Sequence, residues 1–376
     1  MFANKTNPYH RLPSFALIAM LAAAAASFAQ ADPESSPRVF VFATGLNNPR
    51  GLKFGPGQEL YVAEGGVGGS HSTVGQCVQV PAVGPYTGSD TGSRISRIST
   101  SGERTTVADN LPSSQTTPQT GGFVLGVGDI EFVGDDLYAV IAGAGCSHGV
   151  PDIPNGILRV HADGSTTPVA NLSAFQQANP VAHPDPDDFE PDGTWYSLVA
   201  LHGALYAVEP NHGEIDKITL DGQISRLVDM SALPWIGPSA MVVHHGDFYV
   251  GSLTPFPVTQ GIAKVYKITP AGKVSVFAER LTAVLGIGFH QNKLYVLETS
   301  AAVTSPGPPV IPGTGRVVRV TDSGALEPVV TGLTFPTAMT FSRRGDLYVS
   351  NFGFGFPPGA GQIVRVELPH RDGDDD

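Results

Sequence analysis

The stretch YSLVALHGALYAVEPNHGEIDKITLDGQISRLV, Tyr196–Val228, decides the fold. It holds four short runs: YSLVAL, LYAVE, GEIDKITL and the run that leaves the turn LDGQI. Runs this short, alternating in polarity and bounded by turn residues, read as β-strands. Glycine in the turn supplies the positive φ that a tight hairpin requires. The stretch is therefore four strands, a to d, in one meander.

The same block recurs five more times. Leu60-Tyr61, Leu137-Tyr138, Phe248-Tyr249, Leu294-Tyr295 and Leu347-Tyr348 open the b strands LYVAE, LYAVI, FYVGS, LYVLE and LYVSN. Shortly before each lies an a strand: RGLKF, GDIEF, SAMVV, LGIGF, TAMTF. After a variable loop come the c strands SRISRIS, GILRVHA, AKVYKIT, GRVVRVT and GQIVRVE. In four of these five, a turn leads to strand d: TSGER, ADGST, PAGKV, DSGAL. Six four-stranded repeats predict an all-β, six-bladed β-propeller. A two-sheet sandwich could use such strands but would not need six copies of one pattern.

Composition agrees. The 376 residues include 45 Gly and 32 Pro, far above ordinary usage. Those are the two worst helix formers, which argues against a bundle or coiled coil. With 41% hydrophobic residues, disorder is excluded as well.

The last repeat has only three strands before the chain ends. The segment Arg38-Val39-Phe40-Val41-Phe42-Ala43-Thr44-Gly45-Leu46, before the first repeat, resembles the d-strand segments TTVADNL, SVFAERL and EPVVTGL. It is expected to complete blade six, closing the ring and removing exposed sheet edges. Residues 38–368 then form a single propeller domain, followed by an acidic disordered tail at 369–376.

Residues 1–31 read as a signal peptide. They carry Lys5 and Arg11, an apolar run from Phe15 to Ala29, and the small-x-small end Ala29-Gln30-Ala31. A short linker, 32–37, follows. The apolar run is shorter than the roughly 20 residues of a membrane span, and no later stretch reaches that length. The protein is expected to be secreted, periplasmic or extracellular, with cleavage near Ala31, and monomeric. With 22 basic against 34 acidic residues and a net charge of −12, nucleic acid is not expected as a partner.

In this topology the b–c loops and d–a connections emerge on one face. The a–b and c–d turns emerge on the other and are all minimal. The long connections are Gly65–Gly92, Gly143–Asn155, Thr254–Gly261, Ser300–Gly315, Asn351–Gly361, Pro112–Gly122 and Ser173–Thr194. Binding of a small molecule or a protein is expected there, at the channel mouth. Candidates are polar groups at the ends of b strands and the starts of a strands: Arg50, Glu64, Asp129, Tyr196, Glu209, Asn211, His212, Glu298 and Asn351. Asn48, Ser197, Ser239 and Thr337 fall in equivalent places. Glu64, Glu209 and Glu298 end three b strands, and together they could hold Ca²⁺, which takes six to eight oxygen ligands. These carboxylates together with Asp129 would give the mouth an acidic potential. His148, His183, His212, His244, His245 and His290 show no metal-binding or nucleophile spacing. Cys77 and Cys146 are the only cysteines. They fall in b–c loops of adjacent blades on one face, so a disulfide between them is expected.

Several pieces resemble the ScyD/ScyE family of secreted propellers. They are Gly45-Leu-Asn-Asn-Pro-Arg-Gly-Leu-Lys-Phe54, Leu60-Tyr-Val-Ala-Glu-Gly-Gly66, Gly84-Pro-Tyr-Thr-Gly88 and Trp195-Tyr-Ser-Leu-Val-Ala200 followed by Leu205-Tyr-Ala-Val-Glu-Pro-Asn211. The first recurs in NHL-repeat and quinone-dependent sugar dehydrogenase propellers. Such families usually carry Asp-Ala-Gly after strand b of the third blade; this chain has Glu209-Pro210-Asn211 there. The resemblance implies export and a propeller, and it assigns no chemistry to particular residues.

Two functions follow. One is a non-catalytic binding scaffold working through the loop-rich face. The alternative is an enzyme, either a Ca²⁺-dependent lactonase or esterase or a quinone-dependent sugar dehydrogenase. The first enzyme needs the three glutamates. The second needs a histidine base and clustered cations, for which Arg50 is the only obvious base at the mouth.

Overall fold

The computed structural model describes residues 37–369 except 82, 118–121, 188, 235, 254–257 and 304–309. The expected signal peptide, all of the linker but Pro37 and all of the tail but residue 369 lie outside the described residues. Pro37 onward is one compact unit.

Six antiparallel sheets follow one another along the chain. Blade one is β2 (Pro49–Phe54), β3 (Leu60–Glu64), β4 (Thr87–Ile98), β5 (Arg104–Gln115) and the short β6 (Val124–Leu125). Blade two is β7 (Val127–Val133), β8 (Asp136–Ile141), β9 (Gly156–Val160) and β10 (Thr166–Asn171). Blade three is β11 (Ser197–Leu201), β12 (Ala204–Glu209), β13 (Glu214–Thr219) and β14 (Ile224–Asp229). Blade four is β15 (Pro238–His244), β16 (Asp247–Ser252), β17 (Ala263–Ile268) and β18 (Val274–Leu281). Blade five is β19 (Val284–His290), β20 (Lys293–Glu298), β21 (Gly315–Val320) and β22 (Leu326–Leu333). Blade six is β23 (Ala338–Phe341), β24 (Leu347–Asn351), β25 (Gly361–Glu367) and β1 (Arg38–Leu46).

The a strands β2, β7, β11, β15, β19 and β23 contact one another in that order, and β23 contacts β2. The ring is closed. Its clasp is β1, which pairs antiparallel with β25 from Arg38↔Glu367 to Leu46↔Gly361. The expected six-bladed propeller with an N-terminal closing strand is the observed fold.

Apolar side chains alternate so that each sheet buries both faces against its neighbours. One buried cluster joins Val199, Tyr206 and Val208 of blade three to Met241, Phe248 and Val250 of blade four. The c–d turns dock on the preceding blade. Gly222, at φ +92°, sits so close to it that a Cβ would lie 2.4 Å from the Val169 carbonyl oxygen. The turn therefore needs glycine twice, for its dihedral and for its contact.

Three loops differ from expectation. Strand β4 begins at Thr87, so the first b–c loop is shorter than Gly65–Gly92. Its Thr- and Ser-rich start lacks the apolar alternation that marks a strand, because it pairs with Ser113–Gln115 outside the repeat's own four-strand frame. Pro112–Gln115 belongs to β5, and Val124–Leu125 adds a fifth strand to blade one. The Ser173–Thr194 connection opens inside a helix, α1 (Leu172–Ala178), whose first turn is capped by Asn171 Oδ1 accepting from Ala174 N at 2.9 Å. No described helix is long and apolar enough to cross a membrane.

Candidate functional site

Arg50 stands near the start of β2, and its backbone is fixed by blade six. Ser350 Oγ donates to the Arg50 carbonyl at 2.8 Å, and Thr337 Oγ1 donates to the Pro49 carbonyl at 2.6 Å. The residue is only 5% exposed. Arg50 Nη2 donates to the Val124 carbonyl of β6 at 2.5 Å, so the unexpected fifth strand aims the side chain. The guanidinium also hydrogen-bonds the Tyr196 hydroxyl. Burial opposes its charge, and the opposing contributions come from Tyr196 and Tyr86. Among the described residues no carboxylate pairs with it.

Tyr196 lies at the entry to β11 in blade three. Its hydroxyl donates to the Thr337 carbonyl in blade six at 2.7 Å. Blades three and six are opposite in a ring of six, so the phenol crosses the channel. Burial pushes its pKa above the ordinary tyrosine value.

That bar divides the channel. Above it, on the loop-rich face, is a half-open bowl of about 150 Å³. Blades one, three, four, five and six contribute to it with Arg50, Tyr86, Phe123, Tyr196, Leu253, Leu285 and Phe354, and the connection from blade two to blade three adds Glu190 and Thr194. Below it is a lumen of about 220 Å³ walled by the a strands, with Asp129 and Lys53 in its lining. Asp129 accepts from Ile130 N and Leu198 N, both at 2.9 Å, and burial raises its pKa to about 6. A Cβ on Gly51 would lie 1.8 Å from Asp129 Oδ1, so only glycine leaves room for that carboxyl.

The three candidate metal ligands do not converge. Glu64 accepts from Asn47 N at 2.5 Å, from Arg94 Nε at 2.8 Å and from Ser96 Oγ. Glu209 accepts from Thr194 N at 2.8 Å and His212 N at 2.5 Å. Glu298 accepts from Thr282 N at 2.6 Å and pairs with Arg316. Asn351 Oδ1 does the same for Thr334 N at 2.8 Å. Each side chain brackets the end of its own b strand to the connection that enters the same blade. None of the four lines the bowl. Among the described residues no group of three or more His, Cys, Asp or Glu could hold a metal ion. Among the described residues the three glutamates are not gathered into one shell: their oxygens accept from backbone N–H groups that would otherwise be orphaned. Glu209, with no arginine partner, is held well above the ordinary carboxylate range by burial.

Asn211 lines the bowl. His212 stands behind it, with Nε2 at 3.0 Å from the Glu190 carbonyl and a pKa lowered by burial to about 4. Asn48 Nδ2 donates to the Gly66 carbonyl at 3.0 Å. Ser239 Oγ donates to the Val284 carbonyl at 2.5 Å, and Ser197 Oγ to Asp129 at 3.3 Å. The two serine contacts join neighbouring blades, and the asparagine's lies within blade one.

Cys77 and Cys146 are bonded, with Cα atoms 6.3 Å apart, as expected. A disulfide points to an oxidising compartment. It fixes the turn that carries Ser147 and His148. The His148 ring packs on Tyr86 at 4.6 Å, so the bridge braces one wall of the bowl. His148 Nε2 is 3.4 Å from Glu190 Oε2, and burial lowers the imidazole pKa to about 4. Ser147 Oγ donates to Asp192 at 2.7 Å instead of to the imidazole 3.3 Å away, and the serine is buried. Serine, histidine and carboxylate are together here, but Ser147 and His148 are not among the residues that line the bowl.

Tyr86, Phe123, Glu190 and Phe354 were missed as site residues. Their signal was available: Tyr86 and Glu190 lie in connections singled out for length, and both phenylalanines flank strand ends.

No family model and no curated protein sequence matches the chain, so the ScyD/ScyE likeness stays on the motifs quoted above. Solved structures do match. A gluconolactonase from Xanthomonas campestris superposes with a TM-score of 0.52 at 10% identity, covering 89% of this chain and 90% of that one. The PQQ-bound aldose sugar dehydrogenase of Streptomyces coelicolor gives 0.52 at 13% identity, over 89% and 98%. A protein of unknown function from Bacteroides thetaiotaomicron gives 0.55 at 11% identity, over 88% and 76%. The likeness is one of fold.

The sequence raised calcium and a quinone as cofactors, and the described residues gather a ligand set for neither. The carboxylates available for calcium are taken up by backbone N–H groups and arginines, blade by blade. A quinone bearing several carboxylates needs several cations, and Arg50 is the one cation lining the bowl among the described residues.

Proposed function

We propose that this chain is an exported binding protein whose ligand sits in the bowl at the channel mouth. The observation that carries this reading is the bowl itself. It lies on the axis, five blades and the connection leaving blade two build it, and Tyr196 closes it beneath. Its surface is mostly apolar, with few polar groups, as in small-molecule sites generally. Export rests on the apolar N-terminal run and on the oxidised cysteine pair.

The test is saturation-transfer NMR with a fragment library on the wild type and on Leu253→Trp. Leu253 is half-buried on the bowl wall, and indole there fills the space. Fragments that bind the wild type are expected to lose their signals with the variant, while its melting temperature changes little. Fragments binding both proteins alike would place the ligand elsewhere and overturn the reading.

A further inference from the structure

Arg50 is a buried cation at the base of an apolar bowl, and among the described residues no carboxylate neutralises it. Taking a guanidinium out of water is costly unless an anion accompanies it. Its hydrogen-bond partners cannot supply that charge: Val124 offers a carbonyl and Tyr196 a hydroxyl that burial keeps protonated. The other charged residue described on the wall is Glu190, whose Oε2 lies 3.4 Å from His148 Nε2, an imidazole that burial holds neutral at pH 7.

The geometry points to a small organic anion, a monocarboxylate on a single apolar ring, as the ligand of the bowl. This deepens the proposed function and rests on it. Arginine presents a planar fork that a carboxylate matches with two parallel hydrogen bonds. An apolar cavity of about this volume takes one benzene-sized ring. Tyr86, Phe123 and Phe354 offer ring faces and edges for it. The ring would lie among the aromatics with its carboxylate directed down to Arg50.

Three one-ring probes of similar shape and different charge test this: benzoate, benzamide and benzylamine, each titrated calorimetrically into the full chain. Benzoate is expected to bind about ten-fold or more tightly than the other two, the usual worth of a charge-assisted hydrogen bond. Arg50→Lys, which keeps the charge and loses the fork, should weaken benzoate about ten-fold. Leu253→Trp should abolish its binding with Arg50 intact. Should Arg50→Lys not fold, the three-probe comparison on the wild type decides alone. Benzamide or benzylamine binding as tightly as benzoate, and lost in Leu253→Trp, would overturn the anion inference and leave the bowl as the site. No heat from any probe at about 10 mM, weaker than such a fragment should bind, would overturn it too. Benzoate binding unchanged in Leu253→Trp would overturn both.

Discussion

Asp129 shows how one residue couples this fold to pH. The residue is 6% exposed and hydrogen-bonded between blades two and three, and burial raises its pKa to about 6 from an ordinary 3.8. The folded state therefore holds this proton more tightly than the unfolded chain. Its stabilising contribution is complete below about pH 4 and is lost as pH rises through 6. A rise of that size corresponds to about 3 kcal/mol. Other buried groups pull both ways in that window. His148 and His212, lowered to about 4, favour folding as pH rises, whereas Asp216, raised by burial to about 8, opposes it. The clean measurement is the difference in unfolding free energy between wild type and Asp129→Asn across pH 4–7. Wild type should lose about 3 kcal/mol relative to the variant over that range. A pH-independent difference would mean that Asp129 ionises as it does in water.

Among the elements, β1 carries the heaviest structural duty with no part in the bowl. Its Ala43 and Leu46 are buried, and it supplies the outer strand of blade six. Removing Arg38–Leu46 should expose the edge of β25 and cost a sum comparable to the whole net stability of about 5–15 kcal/mol. Chromatography and melting would then show an aggregating or unfolded chain; a monomer melting like the full protein would refute the clasp. This strand was legible because its pattern repeats that of the other d strands. The bracketing glutamates were legible as a recurrence, but the backbone contacts they make were not. A b-strand end facing the loops looks alike whether its carboxylate meets a metal or a neighbouring N–H, and Asn47, Thr194 and Thr282 lie 15–17 residues away. The strand positions of Arg50 and Tyr196 are enough to bring both to the mouth, but not to show how they meet. A hydroxyl bonded to Thr337, 141 residues on, follows from ring closure and from no local pattern. The fifth strand of blade one escaped because two residues, Val124 and Leu125, make no periodic signal.

For the molecule as a whole, the two faces differ in kind. One carries tight turns set by glycine geometry. The other carries the long connections, the disulfide and the bowl, over a channel that Tyr196 bars. The two structural neighbours named for lactone and sugar chemistry share this ring at 10% and 13% identity, so they speak for the scaffold and not for the ligand. Whatever binds must use what the described residues place on the axis: one arginine, one glutamate, a tyrosine floor and a wall of mostly aromatic and aliphatic side chains. The most direct test is a crystal structure of the full chain soaked with benzoate and a panel of neutral one-ring compounds. Density is expected in the bowl above Tyr196, with a carboxylate on Arg50. Ring compounds found solely in the lumen beneath Tyr196 or on the short-turn face would contradict it.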